Sequence, residues 1–400
     1  MSLSKNLKTV LVSVLSLHLF GSFAFADSPK YSVDSSNYTE YSDMLSDGQM
    51  KAFETYSDFR IDVYSNTEEC LLPDHAKSSK NATMINGNEG LGDFKLGTIP
   101  FPNPTDAQHY IWNHRMTGPF VTSVHRTNTT YVVKNDGSYV IGKGDNYIEF
   151  PGAIYSPIKG QVDDNIHALF MVKNSQPPRI AGTLTMLHDF IDAAVQPRKA
   201  WQYSPATRRV RRAPNVNYDS FIDASGGLAT IDSYNMFTGA QDRFDWNVVG
   251  KKVMLIPHNN TEMAIATADD IVSRVHFPNP DLIRYEEKEV TIIEASLKQG
   301  SRHIFPKNLM YVTSDPFMQI MIRDQYDGQG SLLKHQYATR AVDSSGGCRI
   351  NAEITLDFPT RGYVMNNVLG PGHDDLEVTY NTTNMGTVFY SPDGLRRFAR

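Results

Sequence analysis

Residues 208–212 form the densest cluster of side chains able to bind a ligand, with four arginines around a single valine. Because side chains alternate between the two faces of a β-strand, a strand here would place Arg209 and Arg211 on the same face. Guanidinium groups bind phosphate or carboxylate through paired hydrogen bonds. The run therefore suits the anionic head group of a ligand.

The same basic run has two other interpretations. Clustered arginines can indicate nucleic-acid binding, but this chain has 38 basic and 44 acidic residues and a formal net charge of −6. Binding to a phosphate backbone favours the opposite balance, so we predict no nucleic-acid partner. Internal pairing with downstream acids such as Asp242 and Asp245 stays open beside anion binding.

Spacing patterns that carry catalytic or metal chemistry are missing from the sequence. It contains no His-Glu-x-x-His, no Gly-x-Ser-x-Gly, no P-loop and no Gly-x-Gly-x-x-Gly before a helix. His109 and His114 lie five apart, off the i, i+4 spacing that brings two imidazoles to one metal ion. The segment 373–375, His-Asp-Asp, supplies too few ligands for a cation. We predict a chain that is not an enzyme and holds no metal or cofactor.

The three tryptophans, Trp112, Trp201 and Trp246, each lie in a patterned segment. Packing in a core is the usual place of a buried aromatic side chain. Lining a hydrophobic cavity is the alternative, and both interpretations stay open.

Capping patterns and turn residues predict the elements that would position these side chains. The pattern Ser-x-x-Gln from Ser46 predicts a short helix to Tyr56, and Thr-x-x-Gln from Thr105 predicts a second helix. Tight turns predict hairpins around residues 135–137, 204–207, 327–330 and 392–394. Since short connections join antiparallel neighbours, we predict a mainly β protein with a large curved antiparallel sheet and a few helices.

Residues 1–26 have the pattern of a cleavable secretory signal. Lys5 and Lys8 precede an apolar stretch, and Ala24-Phe25-Ala26 predicts cleavage after Ala26. Without the two lysines, the mature chain has a formal net charge of −8. We expect residues 27–41 to be a loose leader and residues 42–400 to form a single domain.

Cys70 and Cys348 are the two cysteines of the chain. In an oxidising compartment such a pair usually forms a disulfide, and two free thiols are the alternative. The composition, with 40% hydrophobic, 20% charged and 11% aromatic residues, excludes disordered, collagen-like and coiled-coil chains.

Residues 201–214 resemble the strand–turn–strand hairpin of the LolA/LolB-like lipoprotein-sorting fold. More specifically, ordered blocks resemble a bacterial family, domain of unknown function 1329, described as outer-membrane lipoprotein-sorting-like. These blocks include residues 101–104, 111–114, 178–183, 242–246, 279–281, 302–304 and 324–330.

The resemblance implies a curved sheet that forms an incomplete barrel, with helices and loops over its concave face and an apolar cavity beneath them. It also implies a periplasmic carrier or accessory protein in a Gram-negative bacterium, which would bind a lipid or another amphiphile. Transfer toward the outer membrane with a resistance–nodulation–division exporter is the implied task. A scaffold that binds an exporter or an outer-membrane protein is the alternative. In the carrier, the three tryptophans would border the cavity, and Arg209 or Arg211 would meet a head group.

Overall fold

The computed structural model describes residues 28–67, 70–72, 74–77, 80–85, 90–92, 98–117, 122–153, 156–193, 195–213, 218–342, 347–368, 379–380 and 385–400. The predicted signal, with its cleavage after Ala26, and the segment 373–375 lie outside the described residues. Among those residues, no helix has both the length and the apolar character that a membrane span requires.

Strands dominate the described part of the chain. They are β1 (Tyr31–Val33), β2 (Ile61–Val63), β3 (Thr83–Ile85), β4 (Gly90–Gly92), β5 (Ser123–Val133), β6 (Tyr139–Glu149), β7 (Ile166–Gln176), β8 (Leu184–Phe190), β9 (Lys199–Ser204), β10 (Arg209–Arg212), β11 (Phe244–Pro257), β12 (Arg284–Leu297), β13 (Lys307–Thr313), β14 (Ile320–Tyr326), β15 (Leu332–Val342), β16 (Cys348–Asp357), β17 (Gly362–Val368) and β18 (Thr379–Tyr380).

The α-helices are short and stand between these strands. They are α1 (Asp47–Thr55), α2 (Asp74–Lys77), α3 (Ala107–Thr117), α4 (Thr261–Ile265), α5 (Ala268–Ile271) and α6 (Pro392–Phe398). Short 3-10 helices cover Tyr38–Met44, Asp223–Ser225, Ile231–Ser233, Gln241–Arg243 and Pro280–Leu282.

One large sheet organises the chain. Its strands run in the order β1-β2-β12-β13-β14-β15-β16-β17-β5-β6-β7-β8-β9-β10, with β11 beside β12 and β18 beside β5. Neighbours are antiparallel, apart from a short parallel contact between β2 and β12. Within the described residues β1 and β10 end this path and do not pair with each other, so the sheet stays open. The predicted mainly β class, with few helices and an unclosed sheet, is confirmed.

Three predicted hairpins and one predicted helix form as the local patterns indicate. Val133 pairs with Tyr139 across the first turn, β9 pairs with β10 across the second, and β14 pairs with β15 across the third. Ser46 caps α1 in a reciprocal capping box with Gln49. Each of these elements depends on contacts between close neighbours in sequence.

The pattern around residues 392–394 is an exception, because it begins a helix rather than a β-turn. The Ser391 hydroxyl accepts a hydrogen bond from the Gly394 N–H, and Pro392 occupies the first turn of α6. Proline suits that position because the first turn leaves its N–H groups unpaired. The predicted hairpin there is wrong. At α3 the helix is confirmed, but Asp106 rather than Thr105 accepts from the Gln108 N–H, at 2.8 Å.

The two faces of strands β5–β10 carry different layers. One face packs against α6 through apolar side chains that include Met186, Tyr203 and Leu395. The other face, here called the cavity face, meets α3 at one end and the segment 218–240 along its middle. Strands β11–β17 carry the largest apolar core, which also includes α1.

The sulfur atoms of Cys70 and Cys348 form a disulfide, with 5.3 Å between the two Cα atoms. It links the segment after β2 to the first residue of β16, across a sequence separation of 278. The predicted pairing is confirmed.

Candidate functional site

A cavity of about 350 Å³ lies between the cavity face and the segment 218–240, here called the lid. Its size falls at the lower end of the range for small-molecule sites. Strands β5–β9 and β17 supply the floor and walls, and the lid supplies the roof. The apolar lining includes Phe170, Val172, Leu187, Phe221, Ile222 and Ile231.

Two glycines create part of this space. Gly142 and Gly144 occupy alternate positions of β6, so both place a bare backbone on the cavity face. Neither has the positive φ that would require glycine. Glycine weakens a strand interior and often marks a place where a ligand approaches the backbone closely. The pair therefore leaves this part of β6 without side chains, and the Ala224 methyl of the lid lies within contact distance of the Cβ position of Gly142.

Polar groups stand among the apolar side chains of the wall. Amide side chains project from β5, β6, β7, β9 and β17, and hydroxyl groups stand among them. The amide-bearing residues are Asn128, Asn146, Asn174, Gln202, Asn366 and Asn367. This wall can exchange hydrogen bonds with a polar part of a ligand, beside the apolar side chains that would contact a hydrocarbon.

Asp189 and Arg198 are charged residues of the lining that neutralise each other. The Arg198 guanidinium donates two hydrogen bonds of 2.7 Å to the two Asp189 carboxylate oxygens. Burial alone would raise the pKa of Asp189, but the adjacent positive charge of Arg198 lowers it below its usual range. The pair stays ionised and fixes the wall at the end of β8.

The lid is fixed to the rest of the sheet through a buried ion pair. In the 3-10 turn Ile231–Ser233, the Asp232 carboxylate lies 2.8 Å from the Arg323 guanidinium of β14. Arg323 also donates to Asn308 at 2.9 Å and to the Met236 carbonyl at 3.2 Å. The Arg323 charge outweighs the effect of burial and lowers the pKa of Asp232 well below its usual range.

His114 of α3 provides a second anchor for the lid. The Ile320 N–H donates to its Nδ1 at 3.1 Å, so Nε2 carries the proton that meets the Asn235 carbonyl at 2.7 Å. Burial lowers the pKa of His114 to about 4, so the ring is neutral near pH 7. Both ring nitrogens therefore hold the backbone in place.

A third anchor joins the lid to the cavity wall itself. The Met236 N–H donates to the Glu353 carboxylate at 3.2 Å, and the Asn367 amide donates to the other oxygen of the same carboxylate. Burial raises the pKa of Glu353 to about 7. Because Asn367 lines the cavity, the protonation state of Glu353 bears on the orientation of a wall amide.

Residues 32–396 match the family model of a protein of unknown function, DUF1329. This chain belongs to the DUF1329 family. It is 34% identical over 319 residues to an uncharacterized protein of Pseudomonas aeruginosa, covering 77% of this chain and 69% of that relative. The match confirms the resemblance that the ordered sequence blocks indicated.

Solved structures were also similar to this DUF1329 chain. One is a domain from Vibrio parahaemolyticus described as a candidate outer membrane lipoprotein-sorting protein, with 12% identity and a TM-score of 0.48. It covers 73% of this chain and 97% of its own. Another is a LolA superfamily protein from Nitrosomonas europaea, with 10% identity and a TM-score of 0.44. It covers 73% of this chain and all of its own, 100%.

The DUF1329 chain carries Arg209 and Arg211 on β10, a strand that ends the sheet. Both are exposed and share the cavity face, with Arg211 opposite Gln202 of the cavity lining. In the part of the chain that the structure describes, no salt bridge joins residues 208–212 to Asp242 or Asp245. The internal pairing considered from the sequence is not found there.

The structure does not bring the three tryptophans together. Trp112 is fully buried on α3 in a cluster that Phe170 of the cavity lining also joins. Trp201 lies on the opposite face of the sheet, with its ring centroid 4.9 Å from that of His188. Trp246 packs against Phe237 and donates to a backbone carbonyl. Their contact with a ligand stays a prediction.

Sequence reasoning missed the amide and glycine residues of the cavity. A signal was present in the second strand of the hairpin predicted around residues 135–137, where glycine recurs at positions 142 and 144. Isolated glycine within a strand indicates a bulge or a close approach of another group. The amides gave no comparable signal, because a polar residue that alternates with apolar ones in a strand also fits an ordinary solvent-facing position.

Proposed function

We propose that this DUF1329 protein is a non-catalytic carrier or accessory protein that holds one small amphiphile in the cavity beneath the lid. The observation that supports it is a 350 Å³ space with a glycine floor and a wall that combines apolar and amide side chains. We place this task in the periplasm, after export through the signal in residues 1–26. Transfer toward the outer membrane with an exporter is part of the same proposal.

Burial of a hydrocarbon chain in such a space gives reversible binding. About ten methylenes gain about 8 kcal/mol on leaving water, while association costs about 4–15 kcal/mol. At the lower end of that cost the net gain is about 4 kcal/mol, so apolar burial alone gives weak and reversible binding, and polar contacts must supply the rest.

Arg209 and Arg211 are proposed contacts for an anionic group of the ligand at the edge of the sheet beside the cavity. Trp112 is proposed to respond to the ligand through Phe170, which belongs to its cluster and to the cavity lining. Trp201 lies on the opposite face of the sheet and Trp246 packs against Phe237 of the lid, and we propose for them only a supporting role.

The test begins with native mass spectrometry of residues 27–400 purified gently from the native periplasm, followed by organic extraction. We expect one amphiphile per chain. Delipidated protein should then take up an amphiphilic fluorescent probe saturably. In a Val172→Trp variant, the indole would fill the cavity, and uptake should fall at least tenfold.

A matched control is Val253→Trp, because Val253 is 46% exposed on β11, away from the cavity. This variant should bind as the wild type does. Protein that carries no amphiphile and takes up no probe would remove the carrier proposal, as would equal loss of binding in both variants.

A scaffold is the second candidate function, and one feature of β11 favours it. This strand pairs with β12 alone among the described strands, and its exposed Val248 and Val249 stand at a break in the pairing register. An unpaired strand edge can add a strand from another protein. Capture of an exporter or outer-membrane protein by wild-type chain, but not by a Val249→Lys variant, would support the scaffold.

A further inference from the structure

Three amide side chains of the cavity lining leave their carbonyl oxygens unpaired. The Oδ1 atoms of Asn128, Asn146 and Asn367 are buried and have no hydrogen-bond partner among the described residues. Asn146 and Asn367 are 5% and 4% exposed. A buried polar group without a partner costs about 1–3 kcal/mol, so its presence requires an explanation.

The orientation of one of these amides is set by its neighbour. The Asn367 nitrogen donates to Glu353, so its oxygen faces away from that carboxylate. The group it lacks is therefore a donor. For Asn128 and Asn146 the oxygen and nitrogen of the amide could exchange places, and the missing partner would then be an acceptor. A hydroxyl group meets both needs, because it donates one hydrogen bond and accepts others.

Other ligand chemistries match this wall less well. A hydrocarbon would leave the amides unpaired, and a carboxylate or phosphate would offer only acceptors to the Asn367 oxygen. The charged pair Asp189 and Arg198 is already satisfied by its own two hydrogen bonds. Gly142 and Gly144 keep the β6 side of the lining free of side chains, beside the amides of Asn146 and Asn174.

We propose that the cavity recognises the hydroxyl groups of an uncharged sugar or polyol segment of its ligand, through the amides of Asn128, Asn146 and Asn367. This inference rests on the proposed function, and it names the chemical class of the part of the amphiphile inside the cavity. It concerns the segment held under the lid and is independent of any charge at the sheet edge.

Isothermal titration of delipidated residues 27–400 with matched probes tests it, with each probe kept below its micelle concentration. The probes are n-octyl β-D-glucoside, octyl tetraethylene glycol ether and sodium octyl sulfate, which share one alkyl chain. We expect saturable binding of the glucoside at one per chain and about tenfold tighter than the ether or the sulfate, the effect of one or two added hydrogen bonds.

Each outcome separates the two proposals. Equal or tighter binding of the ether or the sulfate would overturn the hydroxyl inference and leave the carrier standing. If no probe binds, the proposed function fails together with the inference that rests on it. Tighter binding of the glucoside supports both.

Variants locate the effect on the wall. Asn146→Leu keeps the size of the side chain and removes its hydrogen bonds, so affinity for the glucoside should fall about three- to tenfold while affinity for the ether stays unchanged. Asn128→Leu should behave in the same way and serves if the first variant fails to fold. Asn247→Leu, at an exposed position of β11, is the control and should change neither affinity. Unaltered preference for the glucoside in both wall variants would refute the assignment.

Discussion

The two halves of the large sheet, strands β11–β17 and strands β5–β10, are packed in different ways. In strand β14 every residue is buried, so both faces are covered by side chains of the protein itself. In β6 buried and half-buried positions alternate along most of the strand, and in β10 most positions are exposed. The cavity face of β6 carries glycine at positions 142 and 144. One half is filled and the other retains space beneath a lid.

Polar side chains show what this difference means. In the filled half, ionisable groups pair with each other: Asp324 lies 2.7 Å from His335, and Asp315 lies 2.7 Å from Arg340. In the half with the cavity, amide oxygens such as those of Asn128 and Asn146 have no partner among the described residues. The fold pairs these ionisable groups of the first half with each other, while the unpaired amide oxygens of the cavity wall are available to a ligand.

The ion pair between Asp232 and Arg323 is where the lid depends on the filled half, and its loss should have the largest effect. Arg323→Met leaves a buried carboxylate without its cation, which typically costs about 3–5 kcal/mol. We expect urea unfolding to show a loss of this size. Hydrogen exchange should rise in the lid, because the Met236 carbonyl also loses a donor.

Arg209→Met is the matched control, since Arg209 is exposed on β10 and forms no salt bridge in the described part of the chain. Its effect on unfolding should stay within about 0.5 kcal/mol. If Arg323→Met were as mild as this control, the lid would not depend on the ion pair.

Glu353 sharpens the comparison because it lies on β16 of the filled half but holds Asn367, an amide of the cavity wall on the neighbouring strand β17. Burial raises its pKa from 4.5 to about 7. The stability that the protonated carboxyl group contributes is therefore fully present below pH 4.5 and is lost as the pH rises through 7. Relative to Glu353→Gln, which stays uncharged, the wild type should lose about 2–3 kcal/mol between about pH 5 and 8.

The difference between the two proteins is the quantity to measure, by urea unfolding across this pH range. His114 and His167 have pKa values lowered to about 4 by burial, so they make both proteins more stable as the pH rises. Their contribution cancels in the difference. Parallel pH profiles for wild type and variant would show that Glu353 is already ionised in the fold at low pH.

Local patterns predicted the elements that depend on neighbours in sequence, and failed where a pattern had two meanings. The hairpin of β5 and β6 and the cap at Ser46 follow from adjacent residues. Ser391 followed by Pro392 is compatible with the start of a helix as well as with a turn. The packing of Leu395 against the face of β5–β10 opposite the cavity stabilises the helix α6.

The cavity could not be predicted in the same way, because its lining is a product of register. Gly142, Thr185 and Gln202 are far apart in sequence and meet only because consecutive strands pair in one alignment. A shift of one residue would turn each to the other face. The basic run at 208–212 was visible in the sequence, but the pairing that places Arg211 opposite Gln202 of the cavity lining was not.

Gly142→Ala should have the smallest effect on stability and the most selective effect on function. A Cβ atom at this position would lie 3.4 Å from the Cβ atoms of Ala224 and Thr130, which is ordinary contact. We expect the free energy of unfolding of the variant to rise by about 0.4–1 kcal/mol, since alanine restricts the conformations of the unfolded chain. The added methyl group occupies the cavity floor, so affinity for n-octyl β-D-glucoside should fall.

Gly362→Ala is the contrast from the filled half. Its Cβ would meet the Val133 carbonyl oxygen at 2.8 Å, so the substitution should destabilise the protein. Urea unfolding and titration of both variants would break the comparison if Gly142→Ala lost stability or kept full affinity.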